Sequence, residues 1–196
     1  MKFNYGVFKV GILLLFSPLT YGQGISHPPL KQTKREHRAE WFKIINWPAD
    51  CEEAFQKIYS DKDDQAFSGL EFYRVGKQEH LVKITCYPGA YQPGSIYAWY
   101  DAKTNAARLL KFKGRESPDD AGKELAYSEI NGFGTWQAKT QVLEIFSKYR
   151  GLGDCGFWGR YKFSRGQPVL IEARERDCDD SPTSKFLNPR RWPQVR

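Results

Sequence analysis

A chain of 196 residues, net charge +7, 15% aromatic and 27% charged, is long enough for one domain with a sizeable core. The basic excess favours anionic surroundings such as anionic glycans or acidic protein faces. It is too modest and too scattered to argue for nucleic acid. The single Met is the initiator, and past the N-terminal segment no run is apolar enough to cross a membrane as a helix.

Residues 1–22 carry the pattern of a cleaved signal peptide. Lys2 and Lys9 supply the positive end, Val10 to Phe16 the apolar centre, and Thr20-Tyr21-Gly22 small residues at the two positions read at the cut. The four cysteines, Cys51, Cys86, Cys155 and Cys178, form no CxxC pair and have no His at zinc-ligand spacing. An even count with an export signal reads as two disulfides in an oxidising compartment, periplasmic or secreted.

Residues 23–40 are polar and aperiodic and read as a flexible arm, leaving 41–196 as one disulfide-stabilised domain. Trp41 to Ile45 is a short apolar segment ended by Trp47-Pro48. A helix is predicted next, with Asp50 as N-cap and Glu53 completing a capping box. Cys51, Ala54, Phe55, Ile58 and Tyr59 share its apolar face, and Asp61 to Asp64 end it.

Beyond it the apolar period becomes two. Strands are expected at 70–75 and 81–86 around Gly76-Lys77, then at 95–100 and 107–112, then at 141–149, with a polar loop over 114–122. A last hairpin runs from about Phe157 to Ser164 and from about Val169 to Arg176. With a three-residue turn it pairs Phe163 with Val169, Tyr161 with Ile171, Gly159 with Ala173 and Arg160 with Glu172. Trp158, Arg160 and Lys162 then line its outer face. Cys155 would face Asp177, one residue short of Cys178, so a bulge could join Cys155 to Cys178 and leave Cys51 for Cys86. This pairing is favoured and the other two stay open. The fold class is α+β: one N-terminal helix packed on an antiparallel β meander, with two disulfides.

Two stretches stand out. Tyr149-Arg150-Gly151-Leu152-Gly153-Asp154-Cys155-Gly156 lacks the Gly-Lys-Ser/Thr ending of a phosphate loop and opens no helix, so it fits neither nucleotide motif. It reads as a Gly-rich turn that places a disulfide, with Arg150 and Asp154 either an ion pair or an anion site. Cys86 to Gly94 contains Pro-Gly twice and two tyrosines, of which Tyr91 could present its ring to a ligand.

Cys86-x-x-Gly89-Ala90-Tyr91 and Arg150-Gly151-Leu152-Gly153-Asp154-Cys155-Gly156 resemble the bacterial envelope family catalogued as domain of unknown function 1176. So do Arg160-Tyr161-x-Phe163-x-x-Gly166-x-Pro168-x-Leu170, Cys178-Asp179 and Trp192-Pro193. The resemblance spans roughly Cys51 to Val195 and suits a short, single-domain form or the C-terminal half of longer members. Gln92 stands where Asn is usual, and Asp180 where Gly is usual. The resemblance implies an exported protein with paired cysteines and no particular reaction.

No catalytic set is visible. His27, His37 and His80 neighbour no nucleophile, and Glu52-Glu53, Asp63-Asp64, Asp119-Asp120 and Asp179-Asp180 read as solvated acids. Asp177, Asp179 and Asp180 lack the Gly and terminal Glu of a calcium loop, and no metal or cofactor is expected. The expected function is a non-catalytic binding module for an envelope protein or anionic polymer, with Tyr91, Arg150, Asp154, Trp158 and Arg160 as candidate binding residues. The alternative is a hydrolase of an envelope polymer, for which Glu144 and Asp154 are the acids to test. A purely structural subunit held through Trp41 to Trp47 is the third reading.

Overall fold

The structure, a computed structural model, describes residues 27–31, 33–61, 66–115, 119, 125–179 and 187–195. The expected signal peptide, the first part of the arm and most of the loop over 114–122 lie outside these residues.

Two helices precede the strands where one was expected. Helix α1 spans Arg35–Ile45 and α2 spans Ala49–Ile58. Arg38, Trp41 and Ile45, at helical spacing, are the buried residues of α1. A buried arginine stands where an apolar residue would have revealed the stripe, so residues 35–40, expected in the arm, lie in α1, and Leu30 ahead of it packs against the core. Asn46 stops α1 in the left-handed region at φ 56°, and its N–H returns to the Phe42 carbonyl. Pro48, not Asp50, is the N-cap of α2. Asp50 accepts only from the neighbouring Cys51 N–H, so the expected capping box does not form.

Strands β1 (Leu70–Arg74), β2 (Glu79–Tyr87), β3 (Gly94–Asp101) and β4 (Ala106–Leu109) form an antiparallel sheet in that order. The expected 107–112 strand breaks at Leu110, and Phe112–Gly114 forms β5, which pairs with β6 (Leu125–Tyr127). Strand β7 (Glu129–Asn131) then returns to β3 at Gly94–Ile96, past the end of β4. Directly after β7 the chain passes at Gly132 into a second antiparallel sheet. This sheet is β8 (Phe133–Gln137), β9 (Val142–Lys148), β10 (Gly156–Ser164) and β11 (Gln167–Arg176). Strands β6, β7 and β8 were not expected.

Strand alternation stacks the layers. Val82, Ile84 and Cys86 of β2, with Ile96, Ala98 and Tyr100 of β3, pack with Trp41, Ile45 and Cys51 from the helices and Trp47 from the link between them. Leu81, Tyr97 and Trp99 face the other way and meet Leu143, Ile145 and Tyr161 of the second sheet. Strand β3 lies between two cores, which explains why Gly94 to Tyr100 are all buried. Trp41 and Trp47 are at 0% and 1% exposure, so both tryptophans serve the chain's own core.

Both favoured disulfides form. Cys51–Cys86 ties α2 to β2, and Cys155–Cys178 closes the base of the last hairpin. That hairpin turns at Arg165-Gly166. Arg160 faces Glu172 and Gly159 faces Ala173, as expected. A register shift between Arg160 and Tyr161 leaves Ile171 out, so Tyr161 faces Leu170 and Phe163 faces Pro168 instead of Ile171 and Val169.

The outer face of the second sheet is covered. After a short 3-10 turn at Pro189–Arg191, the tail pairs with β11: Glu175 N–H donates to the Pro193 carbonyl, and Val195 N–H to that of Ala173. Trp192 is fully buried and meets the Phe146 ring edge-on at 5.6 Å between centroids.

Candidate functional site

The two motif stretches, about sixty residues apart in sequence, come together at one end of the molecule. The linchpin is Gln92. Its side-chain carbonyl accepts from the Lys148 N–H at 2.7 Å, and its amide donates to the Lys148 carbonyl at 3.2 Å. One side chain thus satisfies both backbone groups of the last residue of β9, locking the Cys86–Gly94 loop to the start of the Gly-rich turn.

The Gly-rich turn is held from several sides. Gly153 N–H donates to the Arg150 carbonyl and Tyr149 N–H to that of Cys155. The Arg150 guanidinium forks onto Asp154, with Nε to Oδ1 at 2.9 Å and Nη2 to Oδ2 at 2.5 Å, and also donates to the Asp179 carbonyl at 3.0 Å. Arg150 and Asp154 thus form an ion pair across the turn. The disulfide at Cys155 anchors its far end. Gly153 sits at φ +69°, a backbone conformation that side chains rarely adopt. Gly151 lies flat against Tyr91: a Cβ there would come 2.8 Å from the ring carbons.

What the turn displays is apolar. Leu152 at its tip is 78% exposed, Tyr91 beside it 68%, and Phe133 at the start of β8 42%. Lys148 links them. Its ammonium lies 4.8 Å from the centre of the Phe133 ring and 3.4 Å from the Tyr91 carbonyl, and its stem runs beneath Gly153. No ion pair with a carboxylate forms at Lys148 among the described residues. An open cleft of about 560 Å³ runs between the two loops, lined by Tyr87, Tyr91, Gln92, Asn131, Lys148 and Arg150 among others. Tyr87 turns its hydroxyl inward to Glu129 at 2.5 Å and Asn131 at 2.8 Å.

Of the five expected binding residues, Tyr91, Arg150 and Asp154 meet here, and only Tyr91 is freely presented. Trp158 and Arg160 lie elsewhere, on the face covered by the tail. Trp158 is 5% exposed, so of the two arrangements open for it, a displayed ring or one packed under the tail, it is not displayed. Arg160 pairs with Glu172 at 3.0 Å and Glu144 at 3.6 Å, so the face is also largely neutralised. Leu152, Phe133 and Lys148 were missed. Leu152 alone carried a signal, as a lone large apolar residue between two glycines in an aperiodic turn.

The acids singled out for hydrolysis are both engaged. Glu144 pairs with Arg190 at 2.6 Å as well as with Arg160, and Asp154 is buried under Arg150. Among the described residues no three of His, Cys, Asp or Glu converge as metal ligands. Asp180 lies outside the described residues.

Compared with known proteins, residues 24–194 match the model of a family described as "Protein of unknown function (DUF1176)". The match starts well before Cys51 and takes in α1. The uncharacterised protein YpfG of Escherichia coli strain K12 is 29% identical over 118 residues, which are 59% of this chain and 31% of that protein. The chain thus matches about a third of that relative's length. No solved structure matches.

Proposed function

The chain belongs to the DUF1176 family, and from that premise we propose that it is a non-catalytic binding module working outside the cytoplasm. Its binding surface is the junction of the Cys86–Gly94 loop and the Arg150–Cys155 turn. The carrying observation is the rigid mounting of exposed side chains. The Gln92 clamp, the Arg150–Asp154 fork and the Cys155–Cys178 disulfide brace a surface whose outward groups are Tyr91 and its neighbours. A surface fixed before it meets its ligand loses little conformational entropy on binding. Two disulfides suit an oxidising compartment. Among the described residues no helix is long and apolar enough to cross a membrane. Hydrolysis is the weaker reading, because Glu144 and Asp154 are already spent on arginines.

The test is capture of separated envelope proteins and envelope polymers on the immobilised oxidised protein, washed across a salt series. Tyr91→Ala is expected to lose the captured ligand, with affinity falling about tenfold or more. Lys162→Ala, an exposed change on β10 away from this surface, should retain it. Equal capture by wild type and Tyr91→Ala would remove the surface from consideration.

A further inference from the structure

We infer that the ligand of this surface is a protein whose concave apolar pocket, rimmed by acidic side chains, receives Leu152. The inference rests on the reading above that this surface binds, and adds what it binds.

Gln92 is consumed by the Lys148 backbone, Arg150 by Asp154 and the Asp179 carbonyl, and Tyr87 by Glu129 and Asn131. A glycan is recognised through several hydrogen bonds to its hydroxyls, and of the polar groups named here only the Tyr91 hydroxyl and the Lys148 ammonium are left facing outward. The outward groups are a branched aliphatic side chain, two aromatic rings and one ammonium. Leucine has no flat face for a sugar ring and no donor or acceptor for a hydroxyl. It suits an apolar socket.

Geometry makes Leu152 a knob. It lies between Gly151, pressed on the Tyr91 ring, and Gly153, pressed on the Lys148 stem. The turn can fit this closely to its neighbours because those two residues lack side chains, and Leu152 alone projects. Its φ/ψ and position are fixed by the internal hydrogen bond, the arginine fork and the disulfide. A pre-ordered apolar knob flanked by aromatics is the arrangement of a binding hot spot. Lys148 supplies charge complementarity: without a carboxylate partner among the described residues, it calls for an acidic group at the rim of the socket.

The experiment places a photoreactive benzoyl-phenylalanine at position 152 of the oxidised full chain and irradiates it in an envelope extract. The crosslinked peptide is identified, and the purified partner is titrated against four proteins: wild type, Leu152→Met, Leu152→Asp and Lys148→Gln. The expected result is one crosslinked protein, with the joined peptide in an apolar pocket. Leu152→Met should bind within about threefold of wild type, and Leu152→Asp about 100-fold more weakly. Lys148→Gln should bind more weakly and with a shallower dependence on salt. Unchanged thermal unfolding of each variant shows that the fold is intact. Retention of an envelope polymer, lost in Tyr91→Ala but kept in Leu152→Asp, would overturn the protein pocket and leave the binding surface standing. Crosslinking only to a second copy of the chain would also overturn it. Full binding by both Tyr91→Ala and Leu152→Asp would overturn the surface itself.

Discussion

Arg38 has no exposed surface, yet it holds the helical layer to the first sheet. Its Nε donates to Glu52 at 2.7 Å, and its two terminal nitrogens donate to the Ser68 and Thr85 carbonyls at 2.9 and 3.2 Å. The guanidinium carbon sits 3.5 Å from the centre of the Phe55 ring and 5.1 Å from that of Trp47. Burial pulls its pKa down to about 10 although Glu52 pulls the other way, and it stays charged at neutral pH. Only a planar fork reaches all three acceptors, so Arg38→Lys is not conservative. Arg38→Met takes the counter-ion from Glu52, which keeps only its bonds from Trp47 and Gln56, and removes the donor from two buried carbonyls. Removing one partner of such a pair is expected to destabilise the fold by about 3–5 kcal/mol. Denaturant unfolding measures this as a lower midpoint at unchanged slope. The same residue explains the missed helix. A charge at a core position breaks the apolar period, and its partners at Glu52, Ser68 and Thr85 are set by tertiary structure.

At the level of elements, alternation and turn residues made β1, β2, β3, β9, β10 and β11 legible in the chain. Strands β5 to β8 were not, for a physical reason. Three of the four are only three residues long, too short to display a period. The last hairpin was readable up to its bulge, because the bulge depends on how the strand meets the layer beneath it. The tail was readable only as a proline-containing segment. Its pairing with β11 comes from an edge that the chain itself must cover. Trp192→Ala would open the site that Trp192 fills beside Phe146. The expected loss is about 3–5 kcal/mol, with increased binding of a hydrophobic dye. A variant that unfolds at the wild-type midpoint would show that the tail merely rests on the sheet. For the candidate site, the two motif loops were legible as unusual stretches. Their meeting was not, since a single amide on Gln92 makes it and nothing near Gln92 in sequence points to Lys148.

The whole molecule carries carboxylates that bind strand to strand, and this gives its stability a direction in pH. Glu71 stands opposite Lys83 on neighbouring strands of the first sheet. Burial alone would push its pKa up, but hydrogen bonds from Lys83 and Tyr73 outweigh burial and hold it below the ordinary 4.5. Glu172 in the second sheet is also held below 4.5, chiefly by the hydrogen bond from Arg160, with Arg174 adding to it. Both groups take up a proton more readily in the unfolded chain. Their stabilisation is therefore fully present above 4.5 and is lost as the pH falls through the lower folded values. The melting temperature should hold steady down to that region and drop below it. Glu71→Gln should lower the neutral plateau and reduce the acid drop. A melting temperature unchanged well below 4.5 would contradict the assignment.

The strap over the second sheet also sets a schedule. Phe146 and Trp158 emerge from the ribosome well before Trp192, which seals their face, and both remain uncovered until it arrives. The gap from Trp158 is roughly thirty-four residues, so at ~5–20 residues per second it lasts about two to seven seconds. During that interval the nascent chain offers a sticky, nearly complete sheet to any bystander. A chain delivered across a membrane unfolded, and released all at once, would find Trp192 already at hand.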